Sequence, residues 1–147
     1  AKAKAALVSN LNASAFVVSA DTSVVIDETI LGKPGHDERL SAEMLRRLSD
    51  RSHQVLTAVS VIGPGACHET IVKTEVQFRA LSDEEIHWYV KSQEGVDKAG
   101  GYAIQGKAGM FIARIEGSHS NVVGLPLSET LSLLARAGFP LPWSHRP

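Results

Sequence analysis

Hydrophobic and polar positions recur along this chain with two different periods, and each change of period marks an element. In HDERLSAEMLRRLSD the apolar residues Leu40, Met44, Leu45 and Leu48 fall at helical spacing, which predicts an amphipathic helix with one buried stripe and a charged face. HQVLTAVSVI, residues 53–62, is apolar on both alternation phases: Val55, Val59 and Val61 on one, Leu56, Ala58 and Ile62 on the other. That pattern predicts a central strand covered on both faces. The turn Gly63-Pro64-Gly65 leads into TIVKTEVQFR, where Val72, Thr74, Val76 and Phe78 alternate with Lys73, Glu75, Gln77 and Arg79. One face of that strand meets the core and the other meets water or a cleft. In SDEEIHWYV, Ser82 and Glu85 make a capping-box pattern ahead of Ile86, Tyr89 and Val90 at helix spacing.

The remaining segments fit the same alternation of helix and strand. Residues 1–9 are rich in Ala and Lys and predict helix, and residues 10–14 form a polar break. Residues 15–19 and 23–26 are β-branched or aromatic and predict strands, followed by a turn at Asp27-Glu28 before Ile30-Leu31. GMFIARIEG predicts another strand. PLSETLSLLARAG predicts a last helix with Leu127, Leu131 and Leu134 on its buried face and Gly138 as its stop. The tail PLPWSHRP is Pro-rich and is expected to be surface structure. With no internal repeat and no low-complexity linker, the order predicts one α/β domain over residues 1–147.

Composition narrows the function classes. A chain of 147 residues, 44% hydrophobic and 21% charged, is long enough to bury one core. Its formal net charge of −1 provides no bulk attraction for nucleic acid or anionic lipid, so neither is expected as a partner. Cys67 is the single cysteine, which excludes a disulfide framework and a thiolate metal cluster. No uninterrupted apolar run approaches the ~20 residues that cross a bilayer, and no signal-like segment opens the chain. A cytoplasmic protein is expected.

Asp21 is the first candidate for chemistry. It stands between two apolar strand-like runs in VVSADTSVVIDETILGKP, where an unpaired charge is destabilising. At a strand end it would face the crevice in which α/β proteins place functional groups. Partial burial would raise its pKa towards that of a general base, and a nearby lysine or metal would pull it back. Equally, Asp21 caps a turn into Thr22-Ser23. Lys33, held extended by Pro34, is positioned either for a phosphate or carboxylate or simply for solvent. In DKAGGYAIQG the glycines Gly100, Gly101 and Gly106 permit close approach of backbone to a ligand, and Gln105 is able to read a base edge; a plain surface turn explains them as well. No two of the six histidines have metal-ligand spacing, and neither G-x-x-x-x-G-K-[ST] nor G-x-G-x-x-G occurs. An aspartyl-phosphate site needs a second acidic residue two positions after Asp21, where Ser23 stands.

The ordered blocks SADTSVV, ILGKP, MLRRLSDRSHQVLTAV, DKAGGYAIQG and NVVGLPL resemble the Maf family, the septum-formation-type nucleoside triphosphate pyrophosphatases, over residues 1–137. The resemblance implies a mixed central β-sheet flanked by helices, as in inosine triphosphate pyrophosphatase. It implies cleavage of a nucleoside triphosphate, dTTP or UTP by the form of DKAGGYAIQG, to the monophosphate and pyrophosphate. Asp21 matches the catalytic carboxylate, as general base or as ligand of Mg²⁺ or Mn²⁺. Lys33 matches a lysine that neutralises phosphate charge, Lys2 a further phosphate-facing lysine, and Thr22 and Gln105 positions bearing on base selection. His53 and Thr57 recur in the pattern with a packing or hydrogen-bonding role, and a homodimer is implied. The family's S-x-S-P-R-R segment has no match here, so an N-terminally shortened domain is expected, with a sheet edge exposed where the omitted strand would lie. A non-catalytic nucleotide-binding or division-associated interaction protein is the alternative.

Overall fold

The computed structural model describes residues 1–9 and 14–143. Most of the predicted break at residues 10–14, and residues 144–147 of the tail with His145, lie outside them. The elements run α1 (Lys2–Ser9), β1 (Val17–Ile26), β2 (Thr29–Leu31), α2 (Glu38–Leu48), β3 (Ser52–Gly63), β4 (Ala66–Phe78), α3 (Asp83–Lys91), β5 (Ile112–Glu116), α4 (His119–Val123) and α5 (Leu127–Arg136). Two short 3₁₀ turns, Ala99–Gly101 and Lys107–Phe111, stand between α3 and β5. The second takes the first three residues of GMFIARIEG, so the predicted strand there is shorter than expected.

Five strands form one sheet in the order β2-β1-β3-β4-β5, every neighbour antiparallel. Helices flank it, as the α/β pattern predicts, and the doubly apolar β3 lies at the centre. Val17 to Val25 pair with Ile62 to Gln54 without interruption. One consequence corrects the sequence reading: β1 does not break at Asp21, which sits in mid-strand opposite Ala58 instead of at a strand end. Asp27 and Glu28, both with positive φ, make the two-residue hairpin turn whose twist suits β1 and β2.

Residues paired directly across the ladder share a face. Val24, Val55, Val76 and Phe78 belong to the core face, packed by Leu45 and Leu48 of α2 and by Ile86, Tyr89 and Val90 of α3. Further along the same face, Val59 and Val61 pack against Leu133 and Ala137. The capping box forms as expected, with Ser82 accepting from the Glu85 amide and Glu85 from the Ser82 amide. Asp21, Ala58 and Ile71 belong to the opposite face. There α1 lies across the strands, its Ala5 fully buried and the Ala1 carbonyl accepting a hydrogen bond from Ser19 Oγ.

Two helices bury a different stripe from the predicted one. In α2 it is Ser41 with Met44, Leu45 and Leu48, and Leu40 is exposed. In α5, Thr130 and Leu133 are buried while Leu127 and Leu131 face solvent. Each buried hydroxyl donates to a carbonyl four residues back, Ser41 to Asp37 and Thr130 to Pro126, so these side chains enter the core as small, satisfied groups. Gly138, with φ of +87°, ends α5 as predicted.

Candidate functional site

A cleft of about 310 Å³ opens beside β1. Its position follows from strand length. β2 pairs only with Val24 to Ile26, so among the described residues the outer edge of β1 over residues 17–23 carries no strand. Side chains from both faces of β1 reach that edge, and the neighbouring pair Asp21 and Thr22 line the same cleft. Lys33 arrives from the segment after β2. Asp97, Lys98, Ala99 and Tyr102 come from the loop after α3, and Val122 and Val123 from α4.

Local sequence chemistry holds each contributor in place. Gly100 has φ of +73° and donates its N–H to the Gly32 carbonyl at 3.0 Å, and the Gly35 N–H bonds the Val96 carbonyl at 3.1 Å. The Lys33 segment and the loop after α3 are thereby tied together. A Cβ on Gly100 would lie 3.0–3.1 Å from Val24, so this glycine serves close packing of the loop on β1. Ser118 caps α4 by accepting from the Asn121 amide, and Gly124, with φ of +122°, ends it. Fully buried Asn121 anchors that short helix by donating to the Val55 carbonyl and to Thr74 Oγ1.

The cleft carries three lysines, Lys4, Lys33 and Lys98, against two carboxylates, Asp21 and Asp97. Lys4 Nζ donates to Asp21 Oδ1 at 2.7 Å. That bond, more than any other influence, holds the Asp21 carboxyl below the usual carboxylate range; burial is the next largest influence and opposes it, and the charges of Lys4, the chain's amino terminus and Lys33 add to the lowering. The hydrogen bond from Lys98 does the same for Asp97. Lys33 is exposed and has no side-chain partner among the described residues. The result is an ionised carboxylate beside an excess of ammonium groups, an arrangement that attracts anions.

Of the residues expected from sequence, Asp21, Thr22 and Lys33 come together in the cleft. Lys2 and Gln105 do not line it. Lys2 pairs instead with Glu69 at 3.1 Å, beside Ala58 and Ile71, and Gln105 is exposed. Lys4, two residues on, occupies the position expected for Lys2. Residues two apart on a helix point in nearly opposite directions, and a strip of alternating Ala and Lys has no signal to choose between them. Asp97, Lys98, Val122 and Val123 also line the cleft; DKAGGYAIQG and NVVGLPL contain them, but no local pattern distinguishes them from surface residues.

Behind the cleft is a polar interior. Thr22 Oγ1 and Thr57 Oγ1 are 2.9 Å apart, and Thr57 donates to the Asn121 carbonyl at 3.1 Å. His53 Nε2 and the Tyr102 hydroxyl share a hydrogen bond of 2.8 Å within an edge-to-face cluster that includes Phe78. Burial pushes the His53 pKa down to about 4, so the ring is neutral at pH 7, and it pushes the Tyr102 hydroxyl up.

Comparison with known proteins places these features in context. A family model described as Maf-like protein matches residues 1–137. A protein of Myxococcus xanthus named dTTP/UTP pyrophosphatase is 52% identical over 145 residues, 97% of this chain and 72% of that protein. Proteins of the same name from Vibrio vulnificus and Symbiobacterium thermophilum are 52% and 49% identical over 134 and 142 residues. They cover 91% and 94% of this chain and 70% and 71% of their own lengths.

Proposed function

We propose, because the chain belongs to the Maf-like protein family, that it is a nucleoside triphosphate pyrophosphatase acting on dTTP and UTP. One observation carries the proposal beyond the relatives' name: Asp21 and Lys33, on either side of the β1–β2 hairpin, line one cleft with a surplus of ammonium groups.

In the reaction, Asp21 takes a proton from water, the water oxygen bonds the α-phosphorus, and the α–β bridging bond breaks to leave the monophosphate and pyrophosphate. Lys33 offsets charge on the phosphates as that bond breaks, and Lys98 adds to the field. Lys4 is shared: phosphate oxygens compete with Asp21 for its ammonium, and as they draw it away Asp21 becomes the stronger base. Among the described residues no three His, Cys, Asp or Glu side chains converge, so an all-protein metal cage is absent. The Asp21 carboxylate with phosphate oxygens nevertheless fits a hard cation, Mg²⁺ or Mn²⁺, which takes a few protein oxygens and completes its shell from substrate and water. Bound there, the cation would neutralise phosphate charge and polarise the reacting centre.

Asp21→Asn is expected to lower kcat by about 10²-fold or more in a pyrophosphate-release assay with dTTP or UTP. Unchanged turnover would remove Asp21 from the chemistry. Nucleotide binding by calorimetry without any turnover would favour the non-catalytic alternative. The same proposal includes a cytoplasmic homodimer, which sedimentation tests. No helix among the described residues is long and apolar enough to cross a membrane.

A further inference from the structure

Thr57 is fully buried at the middle of β3, and its hydroxyl meets two oxygens, Thr22 Oγ1 at 2.9 Å and the Asn121 carbonyl at 3.1 Å. A carbonyl only accepts, and a threonine hydroxyl has one proton to give. Both contacts are hydrogen bonds only if Thr57 donates to Asn121 and Thr22 donates to Thr57. The opposite sense leaves a hydroxyl that water does not reach with one bond in place of two. The Thr22 proton is therefore directed inward, and Thr22 offers the cleft lone pairs alone.

This matters because of what surrounds Thr22. Beside its charged groups the cleft has an apolar part, to which Val24, Val55, Val122 and Val123 contribute, and Gly124 comes close enough that a Cβ there would lie 3.6 Å from Thr22 Oγ1. Phosphate oxygens are acceptors and have nothing to offer a lone pair; the lysines serve them. An acceptor beside apolar side chains suits a flat ring that presents an N–H. Uracil and thymine carry a proton on ring nitrogen N3, where cytosine has a lone pair.

We propose that Thr57 determines base specificity as a positioning residue: by holding the Thr22 proton inward, it makes Thr22 an acceptor for the N3–H of uracil or thymine and repels cytosine. This rests on the nucleotide pyrophosphatase function proposed above. Thr57 itself does not touch the nucleotide.

The test compares kcat/KM for UTP and CTP in wild type, Thr57→Val, Thr57→Ser and Thr22→Val. In Thr57→Val the Thr22 proton is free to turn towards the cleft and donate to cytosine, so the UTP to CTP ratio is expected to fall about tenfold, the worth of one neutral hydrogen bond. Thr57→Ser keeps the relay and should keep the ratio, which loss of packing alone would not predict. Thr22→Val should lose activity on UTP with no gain on CTP. A ratio unchanged in both Thr57→Val and Thr22→Val overturns the proposal. If circular dichroism shows Thr57→Val unfolded, the ratio retained in Thr57→Ser and lost in Thr22→Val supports the proposal, and any other pair of results overturns it. Calorimetric titration with UMP and CMP separates the two proposals. A UMP preference that collapses in Thr57→Val supports the specificity device even if wild type releases no pyrophosphate, a result that would sink the hydrolase function alone.

Discussion

At the scale of single residues, the charge state of Asp21 is set by its neighbour across the cleft. A carboxylate held below its usual range by Lys4 is ionised at all ordinary pH values, and its capacity as a base is lost only as pH falls through that depressed pKa. Lys4→Ala is expected to move the acid limb of the kcat/KM profile to higher pH, and Lys2→Ala, which breaks a pair with Glu69, to move it less. An identical shift in both variants would contradict the distinction. His53 makes the opposite kind of statement, about stability. Its folded pKa of about 4 lies below the ~6.5 of an exposed imidazole, so between those values the unfolded chain binds the proton and the folded one does not. Stability is therefore expected to fall as pH drops from ~6.5 to about 4, by on the order of 3 kcal/mol for this group. Thermal unfolding of His53→Gln across that window should show a shallower decline. Neither behaviour is visible in the sequence, where Asp21 and Lys4 are merely polar residues seventeen apart and His53 simply opens a strand.

At the scale of elements, period and capping signals were legible wherever an element's own side chains decide its fate. The box Ser82-x-x-Glu85 starts α3 as written, and Ser82→Ala is expected to cost about 1 kcal/mol in chemical denaturation. Which face a helix buries was less legible, because a hydroxyl bonded to the carbonyl four residues back enters the core as readily as an apolar side chain. Thr130 takes the place expected for a leucine at no polar penalty. Leu133→Ala is accordingly expected to cost ~2–5 kcal/mol and Leu127→Ala less than about 0.5 kcal/mol. Equal losses would restore the leucine face of the sequence pattern. The glycines of DKAGGYAIQG were recognisable as special without revealing why. Gly100 answers to Val24 and to the Gly32 carbonyl, so Gly100→Ala should destabilise by about 1–3 kcal/mol.

At the scale of the whole molecule, β3 joins what would otherwise be two cores, contributing Val55 to one cluster and Val59 and Val61 to the other. We propose that the chain is one domain: with its clusters joined through β3 it is expected to unfold in one calorimetric transition with equal calorimetric and van't Hoff enthalpies, and two separable transitions would divide it. The net charge of −1 conceals a local surplus of positive charge, since three lysines and two carboxylates share the cleft while the remaining charges are spread elsewhere. The amino-acid sequence by itself determined the alternation of helices and strands, the central position of β3, the capping of α3 and the candidacy of Asp21 and Lys33. All of these follow from periodicity, local capping or ordered blocks along the chain. Tertiary structure alone decided that β1 runs unbroken through Asp21, that Lys4 and not Lys2 reaches it, that Gln105 stays outside the cleft and that Thr57 meets Thr22. The physical reason is that each of these depends on long-range packing: of β1 against β3, of α1 across the sheet, or of the loop after α3 against the strands. Directions in space between segments far apart in the chain are not encoded in the spacing of either one.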